Sequence, residues 1–126
     1  MKIIQILPTL SYGDAIGNHT RTLKSLFQDM GYFSEIYAEI LDSRLPKNTG
    51  FYVRQLPELK ETDILLYHLS TGTKLNKLIA SLKCRKIVQY HNITPPSYFS
   101  GYSLNTKRNI DWGLIGARYL ADKMDY

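Results

Sequence analysis

Two short polar segments contain residue types that could bind a ligand or act on it. The first, SYGDAIGN, places Gly13 and Gly17 between an apolar run and a helical pattern, where backbone amides and a helix dipole can hold an anionic oxygen. The second, YHNITPP, places His91 directly after the apolar run KIVQ and before two prolines. An imidazole at that point can donate a hydrogen bond to a hydroxyl group or to developing charge. The two segments predict a binding loop and a histidine that faces its ligand.

Each segment also has a structural interpretation. Gly13 and Gly17 suit an ordinary turn before a helix, with Asp14 as the helix N-cap. The loop contains neither GxGxxG nor the GKS or GKT of a phosphate-binding P-loop. His68, near the end of the apolar run DILLYHL, is interpreted as a structural histidine bonded to the backbone, whereas His91 is interpreted as facing a ligand.

Metal and nucleophile chemistry find no support in the sequence. His19 is the only third histidine, and no carboxylate or cysteine stands beside it at metal-ligand spacing. There is no GxSxG motif, and Cys84 lies at the far end of a helix from the expected binding cleft. We therefore expect hydrogen bonding and positioning, with no metal and no cofactor.

Size and composition indicate one soluble globular domain. The 126 residues are 44% hydrophobic, and no apolar run approaches the roughly 20 residues of a membrane span. A single cysteine and the lack of an export signal predict a cytoplasmic, disulfide-free protein. The net charge of +5 is scattered, so nucleic-acid binding is not predicted. An anionic membrane surface and a phosphorylated substrate both stay open as reasons for the charge.

Apolar runs alternate with helical patterns along the chain. This order predicts a doubly wound, Rossmann-like α/β domain with a mainly parallel sheet. The predicted strands are Lys2–Leu7, Phe33–Glu39, Phe51–Leu56, Asp63–Leu69 and Lys86–Tyr90. The predicted helices have apolar faces at Ile16, Thr20, Leu23, Leu26, Phe27 and Met30, at Leu75, Leu78, Ile79 and Leu82, and, after a cap at Ser103, at Ile110, Leu114, Ala117, Ala121 and Met124.

Three polar segments follow strands and should converge on one cleft. Ligands of open α/β sheets sit outside the carboxyl ends of the strands, near the switch in strand order. SYGDAIGN, HLSTGT and HNITPP all fall at such ends. The last helix, by contrast, is expected to run to the chain end with nothing after it to pair with the sheet.

Together these segments resemble the N-terminal domain of a bacterial family 4 glycosyltransferase. The matching pieces are IIQILPTLSYGDAIGNHTRTLKSLFQDMGYFSEIYAE, DILLYHLSTGT and KIVQYHNITPPSYFSGY, which cover most of the chain in the family's order. Enzymes of this family have the GT-B fold, in which two Rossmann-like domains face a cleft. The resemblance implies a retaining enzyme that moves a sugar from a nucleotide-sugar donor to a saccharide or lipid-linked acceptor, without a required metal.

The resemblance also implies roles for particular residues. His91 resembles the histidine that contacts the transferred sugar, and is the expected catalytic-site residue. The loop is expected to approach the donor phosphate and sugar, although Gly13-Asp14-Ala15 stands where many members have adjacent glycines. The donor-loop candidates are Gly13, Asp14, Ala15 and Gly17, and the acceptor-side candidates are His68, Ser70 and Asn92.

The paired glutamates and basic residues of the family's donor domain would lie beyond Tyr126. Residues 1–126 are therefore expected to form the acceptor-binding half of a GT-B enzyme, inactive without its C-terminal domain, with peripheral contact at the inner face of the membrane left open. One alternative is a stand-alone flavodoxin-like module that binds a small anionic or phosphorylated ligand at residues 13–17. Another is a partner-binding domain that uses Tyr98 and Tyr102.

Overall fold

Five strands form one parallel sheet in the computed structural model, which describes residues 1–71, 73–91, 115 and 117–126. Their spatial order is β3-β2-β1-β4-β5, and every neighbouring pair is parallel. This arrangement confirms the predicted Rossmann-like α/β class. In chain order the strands are β1 (Lys2–Leu10), β2 (Phe33–Leu41), β3 (Phe51–Tyr52), β4 (Ile64–Leu69) and β5 (Arg85–Tyr90).

Helices cover both faces of the sheet. Helix α1 (Ala15–Asp29) connects β1 to β2, and helix α2 (Leu75–Ser81) connects β4 to β5. Leu75 packs in a cluster with Tyr67, whereas Ile16 packs against the separate cluster that contains Leu7. The chain moves outward from β1 in one direction and from β4 in the other, so the switch in strand order lies between β1 and β4.

Helix α1 begins at the predicted cap but buries less of its apolar face than expected. Asp14 caps its start, and Gly31 follows its end with φ +90°, a left-handed conformation that favours glycine. Thr20 is buried, but Leu26 and Met30 are 50% and 60% exposed, so the prediction that they face the core is wrong. Gly17, in the first turn, is buried as well. Among the described residues, no helix has the length and apolarity needed to cross a bilayer.

Several strand boundaries differ from the predictions. β1 continues through Pro8 to Leu10, because beyond Ile6 the strand is in register only with β2, where a missing amide is tolerated. β3 has only two residues and is followed by a 3-10 turn over Val53–Gln55. β5 was expected to be buried, but its interior residues are only partly buried because it lies at the end of the strand order.

The end of the chain is not an unpaired helix. Residues 117–120 are helical, and the chain then turns to run beside β5. The amide of Asp125 donates to the Lys86 carbonyl at 2.9 Å, and the Val88 amide donates to the Tyr126 carbonyl at 2.8 Å. Leu120 is buried in the core, whereas Ala121, expected on the buried face, is exposed. The predicted positions Ser103, Ile110 and Leu114 lie outside the described residues.

Candidate functional site

Three histidines meet at the carboxyl end of the sheet. His68 of β4 lies beside His91, which follows β5, with 2.9 Å between His68 Nδ1 and His91 Nε2 and stacked rings 5.2 Å apart. The His91 amide donates to the Leu69 carbonyl at 2.9 Å and thereby continues the strand pairing. His19, in the second turn of α1, is edge-on to both rings at 6.0 and 6.4 Å. The sequence placed His68 and His91 at neighbouring strand ends, and the helix adds His19.

A buried glutamine holds the inner histidine. Gln5 Oε1 lies 2.9 Å from His68 Nε2, and Gln5 Nε2 donates to the Thr20 carbonyl of α1 at 3.0 Å. Gln5 and His68 are both fully buried, and both ring nitrogens of His68 are engaged. Sequence reasoning missed Gln5. The signal was a polar residue in the middle of the apolar run KIIQIL.

Burial favours the uncharged form of both stacked imidazoles. Burial, with smaller effects of His91 and His19, lowers the pKa of His68 from 6.5 to about 3. Burial and the proximity of His19 also lower the pKa of His91. His91 is only partly buried, so it is the member of the pair that solvent can reach. His68 was expected to contact the sugar acceptor, but its ring would have to leave its buried position to do so.

The glycine loop has a tight turn and a capped helix start. Gly13 has φ +76°, and nothing lies within 4 Å of the position a Cβ would take there. A Cβ on Gly17 would lie 2.6 Å from the Ser11 carbonyl oxygen, so this position requires glycine for space. Asp14 Oδ1 accepts from the Gly17 amide at 2.5 Å, which confirms the predicted N-cap. An incoming anion would have to share the helix start with that carboxylate.

A second loop holds the glycine loop in place. The Tyr12 amide donates to Asp42 Oδ2 at 3.1 Å, and the Arg44 guanidinium lies over the Tyr12 ring, 5.4 Å from its centroid. The hydrogen bonds of Arg44 and then of Tyr12 hold the pKa of the Asp42 carboxyl well below its usual value. Because Asp42 follows β2, the loops after β1 and β2 are tied together at the same edge of the sheet.

The predicted site residues differ in where they lie. His68 and His91 are in contact. The donor-loop residues are linked to them by the start of α1, since His19, two residues after Gly17, lies beside His91. Gly13, Asp14 and Ala15 are exposed, and Gly17 is buried. Ser70 is partly buried just after β4. Asn92 lies outside the described residues.

A separate cavity opens on the face of the sheet that α2 covers. Its volume is about 350 Å³, and its lining includes Glu39, Arg54, Lys74 and Leu75. The Glu39 carboxylate accepts a hydrogen bond from the Thr73 hydroxyl, and burial raises the pKa of Glu39. None of the predicted site residues that the structure describes lines this cavity.

Neither a metal site among the described residues nor a similar known protein indicates a function for this chain. Within residues 1–71, 73–91, 115 and 117–126, no group of three or more histidine, cysteine or acidic side chains has the arrangement of a metal site. In the histidine cluster, both nitrogens of His68 already have protein partners. Comparisons with protein-family models, curated proteins and solved structures gave no match to this chain.

Proposed function

We propose that this chain is the acceptor-side domain of a retaining glycosyltransferase, which moves a sugar from a nucleotide-sugar donor to a saccharide or lipid-linked acceptor. One observation carries the proposal. The partly buried His91, at the carboxyl end of β5, is braced by His68 and lies beside the helix that begins at the glycine loop. A neutral, fixed imidazole at this edge of an α/β sheet suits a hydroxyl-rich ligand.

The glycine loop supports contact with a sugar more than with a phosphate. The space in front of Gly13 is open, so a ligand can approach the backbone closely. The Asp14 carboxylate occupies part of the helix start and carries negative charge. A carboxylate accepts hydrogen bonds from sugar hydroxyls, whereas it repels a diphosphate. In this proposal, the basic groups that hold the donor diphosphate belong to the second domain of the GT-B enzyme.

The first test is the native gene beyond the codon for Tyr126. We expect an open frame that encodes a second α/β domain with paired glutamates and basic residues for the diphosphate. Purified full-length protein should then transfer sugar from one member of a nucleotide-sugar panel, with the anomeric configuration retained in the product. A stop codon directly after Tyr126 would contradict the enzyme proposal.

The kinetic test uses His91→Ala in the full-length enzyme. Removing a group that positions reacting atoms lowers turnover by about 100-fold or more. The matched control is Ser25→Ala, an exposed position on α1 away from the histidines, which should leave turnover unchanged. Equal turnover numbers for His91→Ala and the control would remove His91 from the mechanism.

The stand-alone binding module predicts a different result. The 126-residue chain itself would then bind inorganic phosphate or a phosphorylated compound saturably, with amide shifts centred on residues 13–17. The Asp14 carboxylate at the helix start argues against this alternative. An NMR titration of the chain with inorganic phosphate distinguishes the two, because the glycosyltransferase domain should show no saturable shift at the loop.

A further inference from the structure

We propose that Gln5, acting through His68, fixes neutral His91 in the tautomer that carries its proton on Nε2. The Nδ1 atom of His91 is then a hydrogen-bond acceptor toward the ligand. This makes Gln5 a positioning residue that never touches the ligand. The tautomer is a property of the folded chain alone, whereas its consequence for a sugar hydroxyl rests on the function proposed above.

The direction of the hydrogen-bond chain is set where it begins, at the Thr20 carbonyl of α1. The Thr20 carbonyl can only accept a hydrogen bond, so the group 3.0 Å from it must be the amide nitrogen of Gln5. This orientation turns the amide oxygen of Gln5 toward His68, 2.9 Å from its Nε2. The amide oxygen also can only accept. His68 Nε2 must therefore carry a proton and donate it to Gln5.

The proton on His68 Nε2 decides the state of His91. A neutral imidazole has one protonated nitrogen, so Nδ1 of His68 carries a lone pair and accepts. Its partner at 2.9 Å is His91 Nε2, which must then be the donor. The complete burial of His68, beside two other imidazoles, disfavours the doubly protonated ring that could reverse this direction.

The consequence is that His91, the last group in the series of hydrogen bonds, presents a hydrogen-bond acceptor. Among the described residues, His91 Nδ1 has no hydrogen-bond partner, and its ring is partly buried. His91 was expected from the sequence to donate a hydrogen bond, but in this tautomer its free nitrogen accepts one. A ligand hydroxyl is therefore recognised as a donor. His19 is exposed and contacts both rings without joining the hydrogen-bond chain.

The test is a nitrogen NMR spectrum of the ligand-free 126-residue chain with ¹⁵N-labelled histidine, at about pH 8, where an imidazole with its pKa below the ordinary value is neutral. For both His68 and His91 we expect a protonated Nε2 and an unprotonated Nδ1. We also expect a scalar coupling between His91 Nε2 and His68 Nδ1 across their hydrogen bond. A proton on His91 Nδ1, or no coupling between these nitrogens, would overturn the proposal.

A pair of variants isolates the role of Gln5. Gln5→Met has a similar volume but no hydrogen-bonding amide, so the His91 nitrogen shifts should move toward those of a mixture of tautomers. His19→Asn changes a neighbouring ring outside the hydrogen-bond chain and should leave the His91 tautomer unchanged. Unaltered His91 shifts in folded Gln5→Met would refute the role of Gln5. If Gln5→Met does not fold, the wild-type spectrum still decides the tautomer.

These results do not depend on the enzymatic proposal, because no ligand is present. A chain with the expected tautomer but no glycosyltransferase activity in its full-length protein would contradict only the proposed function. A full-length enzyme that transfers sugar but has its proton on His91 Nδ1 would contradict only the inference about Gln5.

Discussion

The two ends of β4 each bury a polar side chain, but they use it differently. At the amino end, Asp63 is 3% exposed, and its carboxylate accepts from the backbone amides of Lys2 at 2.7 Å and Lys60 at 2.8 Å. At the carboxyl end, His68 is fully buried, and its imidazole bonds to the side chains of Gln5 and His91. At the amino end a side chain holds backbone amides, and at the carboxyl end three side chains bond to one another in series.

This difference separates a structural polar group from one that belongs to the candidate site. The Asp63 carboxylate accepts hydrogen bonds from amides that would otherwise lack partners, so its role is to stabilise the fold. The chain of hydrogen bonds from Thr20 through Gln5 and His68 ends at His91, which is only partly buried. A buried polar group that supports a partly exposed one is typical of a ligand site.

The largest expected effect is acid destabilisation that begins at the histidine end. The pKa of His68 is about 3 in the folded chain and 6.5 when unfolded, so only the unfolded chain takes up a proton between these values. The free energy of unfolding should be highest above pH 6.5 and fall by up to about 1.4 kcal/mol per pH unit toward pH 3. His91 shifts in the same direction and adds to the fall.

Asp63 titrates in a different range, which separates the two ends. Its pKa is lowered by the amides of Lys60 and Lys2, so its contribution is complete above 3.8 and is lost only below that value. Urea unfolding at a series of pH values would measure both ranges. In folded His68→Leu the fall above pH 3.8 should become shallow, whereas His19→Asn should keep most of it. A flat wild-type profile between pH 6.5 and 3.8 would contradict this assignment.

The second prediction tests the other end of β4 at neutral pH. Asp63→Ala leaves two partly buried amides without an acceptor and should lower the free energy of unfolding by about 2–4 kcal/mol. Asp29→Ala, at an exposed position at the end of α1, is the matched control and should change it by less than about 0.5 kcal/mol. Equal losses for both variants would show that the Asp63 bonds contribute little.

The third prediction concerns the close approach of α1 to its loop. In Gly17→Ala the new Cβ would lie 2.6 Å from the Ser11 carbonyl oxygen and 2.7 Å from Asp14 Oδ1, so the helix start must shift. We expect a loss of about 1–3 kcal/mol in the free energy of unfolding. Asn18→Ala, an exposed neighbour in the same turn, should cost less than about 0.5 kcal/mol.

The Gly17 variant also links the loop to the histidines. A shift of the first turns of α1 would move the Thr20 carbonyl, which accepts from Gln5. The His68 and His91 nitrogen shifts should therefore change in Gly17→Ala and stay the same in Asn18→Ala. A destabilised Gly17→Ala with an unchanged histidine spectrum would show that the hydrogen-bond chain is independent of the loop.

The sequence predicted most of the sheet, because buried parallel strands are almost continuously apolar. DILLYHL and KIIQIL are such runs, and both form strands at the expected places. The chain end was misjudged, since spacing alone did not reveal that Leu120 would be buried or that Asp125 would bond to the backbone of Lys86. Contacts between residues far apart in sequence leave no periodic signal of this kind.

The candidate site was only partly predictable for the same reason. Strand ends placed His68 beside His91, because neighbouring parallel strands bring their carboxyl ends to one edge. His19 approaches them from α1, and Gln5 bonds to His68 from β1, 63 residues away along the chain. A single glutamine in an apolar strand predicts a buried partner without identifying it.

The smallest expected effect on stability concerns the residue with the largest expected role. His91→Ala removes a partly buried ring, and water can then reach His68 Nδ1, so the free energy of unfolding should fall by no more than about 1 kcal/mol. Asp63→Ala, at the opposite end of the same strand, should cost several times more. Urea unfolding of both variants at neutral pH makes the comparison. A loss in His91→Ala as large as that in Asp63→Ala would mean that the outer imidazole stabilises the fold. His68 and His91 would then form a closed structural pair like Asp63 and its amides. A small loss would mean that the fold fixes the position of His91 without depending on it, as expected for a side chain that binds a ligand.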